Sequence, residues 1–419
     1  MGLPLPSPLS HGDRHDDRRR LHRVTDFEDK TMRNKRRYGA VALSAENRSG
    51  ITRRMTLLAL VAAAAVAAVA LFVKPAGAEP ASGFVYTADE QGGSISRIDL
   101  STGKVDSFPV AITPHNVQFV PGTGKLLAVG VPRSADGHGG GGNDQGAEHS
   151  KMGGMREMDM DAGGKLIVLD PANLAAGPLA SIPAGAHPAH VIADPDGKRA
   201  FVTDSEHSIV SVINLENGEI AATVATGDYP HGLRMSPDGK FIYVANVKDG
   251  TVSVIDAVKL QEAARIKVGK APVQVGFTPD GSRFHVSLRD ENKVAVIDTA
   301  TRKVIGRIEV GRSPIQVHAT PNGRFVFVAN QGTEAKPNDT VSVIDVASGK
   351  VVKTIRAGLG AHGVTVSNDG AFVFVTNIVD GTVSLISVKD QSVLKSYQVG
   401  KGPNGVTFQS ASPTSGDAG

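Results

Sequence analysis

Thirteen histidines and no cysteine leave imidazole and thioether as the nitrogen and sulfur metal ligands of this chain. Six of the thirteen histidines fall in or beside one recurring turn. His115, His231 and His362 hold the same place in it, directly after Pro114, Pro230 and Ala361. His187 and His190 flank that place in another copy, and His318 lies three residues beyond it in a further one. A second group sits in residues 131–163, a Gly-rich stretch that carries His138, His149, Met152, Met155, Met158 and Met160. Half of the eight methionines lie between Met152 and Met160, in the spacing MxxMxxMxM found in thioether-rich segments of copper proteins. Thioether is a soft donor that favours Cu(I), while imidazole also suits Cu(II) and Zn(II). Together the two groups are candidate ligands for a metal ion, copper first and zinc next. The run Gly139–Gly142 would let the Met/His segment fold over the histidines.

Plainer uses compete with this reading. A turn histidine can cap a strand by bonding Asp204, Asn246 or Asn377, and a long insertion can be a solvated or partner-binding loop. The histidine is also copied incompletely, since Val273, Ile315 and Asn404 take its place in three copies. That argues against a uniform ring of seven ligands and for a lopsided cluster.

The elements that must position these residues repeat. GDYPHGLRMSPDGKFIYVAN (Gly227 to Asn246) returns in varied form at Gly269–Leu288, Gly311–Asn330 and Gly358–Asn377, and the turn glycines Gly197, Gly239, Gly281 and Gly323 are each 42 residues apart. A period of this length with four short strands per repeat predicts an all-β, seven-bladed β-propeller of four-stranded blades. Seven proline-type turns, seven strands such as Phe241–Asn246 and seven of the VSVID type, such as Val252–Asp256, agree on the count. In Thr251–Asp256 both faces carry apolar residues, as strands packed between neighbouring blades require. The chain starts at a second-type strand (Phe84–Ala88) and ends after a first-type one (Gly405–Gln409), so these two are expected to pair and close the ring. The proline turns then surround one mouth of the central channel, and residues 131–163 open on that face. A milder departure from the repeat, Gln331–Asp339, is expected on the same rim.

Residues 1–54 are Arg-rich and read as a disordered basic segment; 55–78 read as a signal peptide or membrane anchor, 79–410 as the propeller and 411–419 as a disordered tail. The apolar run Thr56–Val73 is just long enough to cross a bilayer, and Ala76-Gly77-Ala78 matches a cleavage site. Either outcome places the propeller outside the cytoplasm, with membrane contact only through residues 56–73 if they are retained. Residues 1–78 hold 14 Lys and Arg against 7 Asp and Glu, and the remainder 31 against 35. A mildly acidic body with few aromatics excludes nucleic acid as a partner.

Tyr243-Val244-Ala245-Asn246 and Phe374-Val375-Thr376-Asn377 resemble, with one change each, the tetrapeptide that names the YVTN β-propeller repeat family. The resemblance covers about residues 83–409. It implies the propeller fold and an extracytoplasmic binding or surface protein. Similar rings serve nitrous oxide reductase, where histidines hold copper, haem d1 nitrite reductases, amine dehydrogenases and lactonases. Three functions follow as expectations: a copper- or zinc-binding or delivery protein, a protein-interaction or surface scaffold with its partner on the mouth face, and a lactonase-like hydrolase or metal-dependent oxidoreductase. The absence of GxSxG, HExxH and Walker patterns weighs against an enzyme.

Overall fold

A computed structural model of the chain describes residues 81–133 and 163–411. The expected leader, the insertion and the last eight residues lie outside them, and with them His138, His149, Met152, Met155, Met158 and Met160. Among the described residues no helix is long and apolar enough to cross a membrane.

Seven four-stranded antiparallel sheets form the ring. Blade one is residues 84–109 completed by the strand Pro403–Gln409; blades two to seven follow as 112–183, 188–225, 230–267, 272–309, 314–356 and 361–398. Their innermost strands, from blade one onwards, are Pro403–Gln409, Ile112–Val120, Pro188–Ala193, Pro230–Met235, Pro272–Phe277, Pro314–Ala319 and Ala361–Val366. Each packs on the innermost strand of the next blade, and that of blade seven packs on that of blade one. The closure has the expected register, with Phe84 opposite Gln409 and Tyr86 opposite Thr407.

Apolar side chains from facing blades fill the gaps between sheets. Tyr243, Val252 and Val254 of blade four pack with Val275, Phe284 and Ala295 of blade five, all buried. Valine and isoleucine suit this setting because their branched side chains fit the pleat on both faces. The tetrapeptide ends with a purpose. Asn377 Nδ2 donates to Thr382 Oγ1 at 2.9 Å and Ser384 Oγ at 3.0 Å, tying the second strand to the third. A Cβ on Gly358 would stand 2.6 Å from Asn377 Cγ, so the incoming turn needs glycine there. The hydroxyl one residue earlier ties blade to blade. Thr376 Oγ1 accepts the Gly363 N–H at 2.7 Å and donates to the Asn404 carbonyl of the next blade at 2.9 Å.

The departure at residues 331–339 is a longer hairpin. Its strands run on to Gly332 and begin at Pro337, with these two residues paired. The insertion leaves and rejoins blade two at Arg133 and Gly163, on the face of the proline turns. Arg133 Nη1 donates to the Gly93 carbonyl at 3.4 Å, and a Cβ on Gly164 would run into Pro188.

Candidate metal centre

Each innermost strand starts at the mouth and is irregular there. In blade four the register shifts between Pro230 and Leu233, and in blade three between Pro188 and Val191. A bulge places two residues against one partner and turns both side chains from the regular alternation. His231 follows Pro230 directly; His190 stands one place later in its strand, behind Ala189. His115 of blade two reaches across blade three to His231 of blade four.

The two Nε2 atoms lie 3.3 Å apart. His190 joins them, its ring centroid 4.7 Å from that of His231 and 5.7 Å from that of His115. One ring nitrogen from each of the three lies within 4.8 Å of the others. His190 is 1% and His231 5% exposed, while the His115 side chain keeps 13%. A single hydroxyl pins two of these histidines by the backbone. Thr203 Oγ1 accepts the His190 N–H at 3.0 Å and donates to the His231 carbonyl at 2.8 Å.

Behind His115 stands Glu90, with Oε1 3.1 Å from Nδ1. Its other oxygen accepts from Asn404 Nδ2 at 2.8 Å, and that amide lies 3.2 Å from His115 Nδ1. A carboxylate that accepts a hydrogen bond from Nδ1–H fixes the tautomer whose lone pair is on Nε2, the atom facing His231. Burial alone would raise the Glu90 carboxyl. The His115 charge and hydrogen bond, the Asn404 amide and the His362 charge outweigh burial and hold it below its usual range.

Burial, followed by the charges of His231 and His115, drives His190 well below the usual imidazole range. His362 lines the same cavity, and burial, then His115 and His231, brings it down to about 3. Both rings are therefore neutral at physiological pH. Neither ring nitrogen of His190 has a hydrogen-bond partner. Buried polar atoms are rarely left so, and an arrangement of this kind calls for a bound water or ion.

The capping bonds are not formed by these histidine rings. Asp204 accepts from His207 Nδ1 at 2.8 Å and from the Ala186 and His187 N–H groups, while Asn246 and Asn377 donate through Nδ2 within their own blades and their Oδ1 atoms meet no donor. His187 is exposed on the rim, outside the cluster. His318 lies deeper, with Nδ1 3.3 Å from the Val364 carbonyl.

Around the ring, blades seven, one, two, three and four bring His362, Asn404, His115, His190 and His231 to the mouth; blades five and six bring Val273 and Ile315. The cavity they line measures about 80 Å³ and opens at the mouth, room for an ion with its waters. A larger cleft of about 840 Å³, on the opposite face between blades one, six and seven, contains no histidine.

Glu90 was missed by the sequence reading. It follows the last residue of its strand, at the repeat position shared by Val247, Arg289, Gln331 and Ile378, all of which line the same cavity. Comparing that position between repeats would have found it.

One pair of the three nitrogens stands at the spacing a metal ion would set, with the third within 4.8 Å. Zinc–nitrogen bonds of about 2.0–2.1 Å at a tetrahedral angle set neighbouring ligand nitrogens roughly 3.3 Å apart, the spacing seen between His115 and His231.

No curated protein matches the chain. Among solved structures it is similar to Kuenenia stuttgartiensis hydrazine synthase, at 17% identity and a TM-score of 0.56 over 71% of this chain and 96% of that one. It is also similar to a functionally unknown protein from Desulfotomaculum acetoxidans DSM 771, at 14% identity and a TM-score of 0.61 over 79% of this chain and all of that one. Such likeness reports fold alone. A family model for YNCE-like β-propellers matches residues 164–412, more than half of the chain. The chain belongs to the YNCE-like β-propeller family.

Proposed function

We propose that this propeller is an extracytoplasmic protein that binds, and hands on, a single copper or zinc ion at its channel mouth. The observation that carries the reading is the convergence of His115, His190 and His231, with facing Nε2 atoms 3.3 Å apart and Glu90 behind one of them. Three imidazoles suit Cu(II) or Zn(II), and a carboxylate on the far nitrogen orients a ligand and raises its basicity. Three protein ligands leave a fourth position on a tetrahedral ion, through which cargo can be passed to a donor from elsewhere. The thioethers of Met152, Met155, Met158 and Met160 are softer donors, better suited to Cu(I), and belong to a segment that leaves the ring on the same face. The apolar run Thr56–Val73 supports a location outside the cytoplasm.

The test titrates Cu(II) and Zn(II) into the full chain against a competing chelator, beside His231→Ala and the double variant H115A/H231A. The expected result is one ion per chain, with loss of a ligand weakening binding by about 100-fold or more, beyond the effect of an outer partner. Affinity that is unchanged in both variants, or no greater than that of a histidine-bearing control protein, would sink the proposal.

A further inference from the structure

Three strand positions beyond the mouth, the channel carries a charge with nothing to answer it. Arg234 lies on the innermost strand of blade four, past the bulge that sets His231. Its one hydrogen bond runs from Nη1 to the carbonyl of its own neighbour, Leu233, at 3.3 Å. No carboxylate among the described residues reaches it. The only influence on its proton is burial, which brings it down to about 10. Water can enter from within the channel, but protein surrounds the side chain. A guanidinium so placed lacks the paired anion that buried cations ordinarily require.

The strands beside it supply further donors. Gln274 and Gln316, one place beyond the mouth in blades five and six, are buried at 1% and 3% exposure. Their Oε1 atoms accept the Val275 and Val364 N–H groups, which fixes the orientation of both amides. Their Nε2 atoms have no acceptor. At the level of Arg234, blade five carries Gly276, so no side chain stands between Arg234 and His318 of blade six, which feels the arginine charge. The same charge reaches His190 at the mouth.

We propose that the channel behind the histidines is an anion site, in which Arg234 clamps one small oxyanion, carboxylate or inorganic, with the Gln274 and Gln316 amides as further donors. The guanidinium fork matches two oxygens of such an anion, and its occupant neutralises a charge that would otherwise stand unpaired beside the mouth. The site uses none of the metal-candidate histidines and does not rest on metal binding. An anion here would also offset the charge of a cation at the mouth.

The test follows thermal unfolding of the full chain, with chelator present and a bulky sulfonate holding ionic strength constant, as formate, bicarbonate, nitrate or phosphate is raised. The expected result is a saturable rise in Tm with at least one of them, as mass action requires of a ligand bound only by the folded state. The rise should vanish in R234M and persist in H115A/H231A, so that failure of the metal site and failure of this one are distinguishable. R234K, which keeps the charge without the fork, should bind about tenfold more weakly, and it carries the test if R234M does not fold. A response equal in wild type and the Arg234 variants, or no saturable response to any of the four anions, overturns the proposal. Comparing formate with phosphate tells a carboxylate from an inorganic occupant.

Discussion

At the scale of single residues, Glu90 separates the strength of a ligand from the number of ligands. Glu90→Gln keeps an oxygen acceptor near His115 Nδ1 but removes the charge. One ion per chain should still bind, about 10–100-fold more weakly, in the same competition titration. His285 gives an independent reading of burial. It occupies the strand position of Tyr243, Phe327 and Phe374, and burial brings it down to about 4. Between its ordinary value of 6.5 and about 4, the unfolded chain binds a proton that the folded chain refuses. Stability contributed by this site is therefore complete above that window and falls as pH falls through it, at up to about 1.4 kcal/mol per pH unit. His285→Phe should remove this slope, so urea unfolding at pH 7 and pH 5 should show a smaller acid loss than in wild type. The turn histidines were legible because repetition marked them. Arg234 was not, since an isolated arginine in a strand carries no signal until the channel is seen around it.

At the scale of elements, the turn into each innermost strand is where local preference and fold disagree. Tyr229, Ala271 and Ser313 hold φ of 60°, 47° and 51° directly before Pro230, Pro272 and Pro314. A positive φ is strained for residues with a Cβ, and Gly360 and Gly402 take the corresponding place at φ 75° and 62° in blades seven and one. Ala271→Gly should therefore stabilise the protein by about 0.5–1 kcal/mol, read as a raised urea midpoint with unchanged slope. The strands themselves were legible, because a 42-residue period and two-residue alternation both appear in the sequence. The facing of His190 was not. Strict alternation sets it on the opposite side from a residue one place earlier, and only the bulge between Pro188 and Val191 brings it beside His231.

For the whole molecule, the seven-fold count and the closing pair were legible, since unequal strand types at the two ends leave one arrangement that completes every blade. That closure holds residues more than 300 apart: Tyr86 Oη donates to Gln409 Oε1 at 2.6 Å, and Val85 lies opposite Phe408. A chain ended before Pro403 should lose cooperative unfolding and expose the edge Phe84–Asp89, seen as rapid hydrogen exchange there. A peptide of residues 403–411 should restore protection, and exchange that is slow without it would contradict this account. The same pairing sets a clock. Among the described residues, blade one begins with the first strand in the chain and is finished by the last. Until that last strand is in place the chain is an open arc of blades. Circular order arrives in one late step, when Pro403–Gln409 docks, and until then the protein can still be unthreaded from either end.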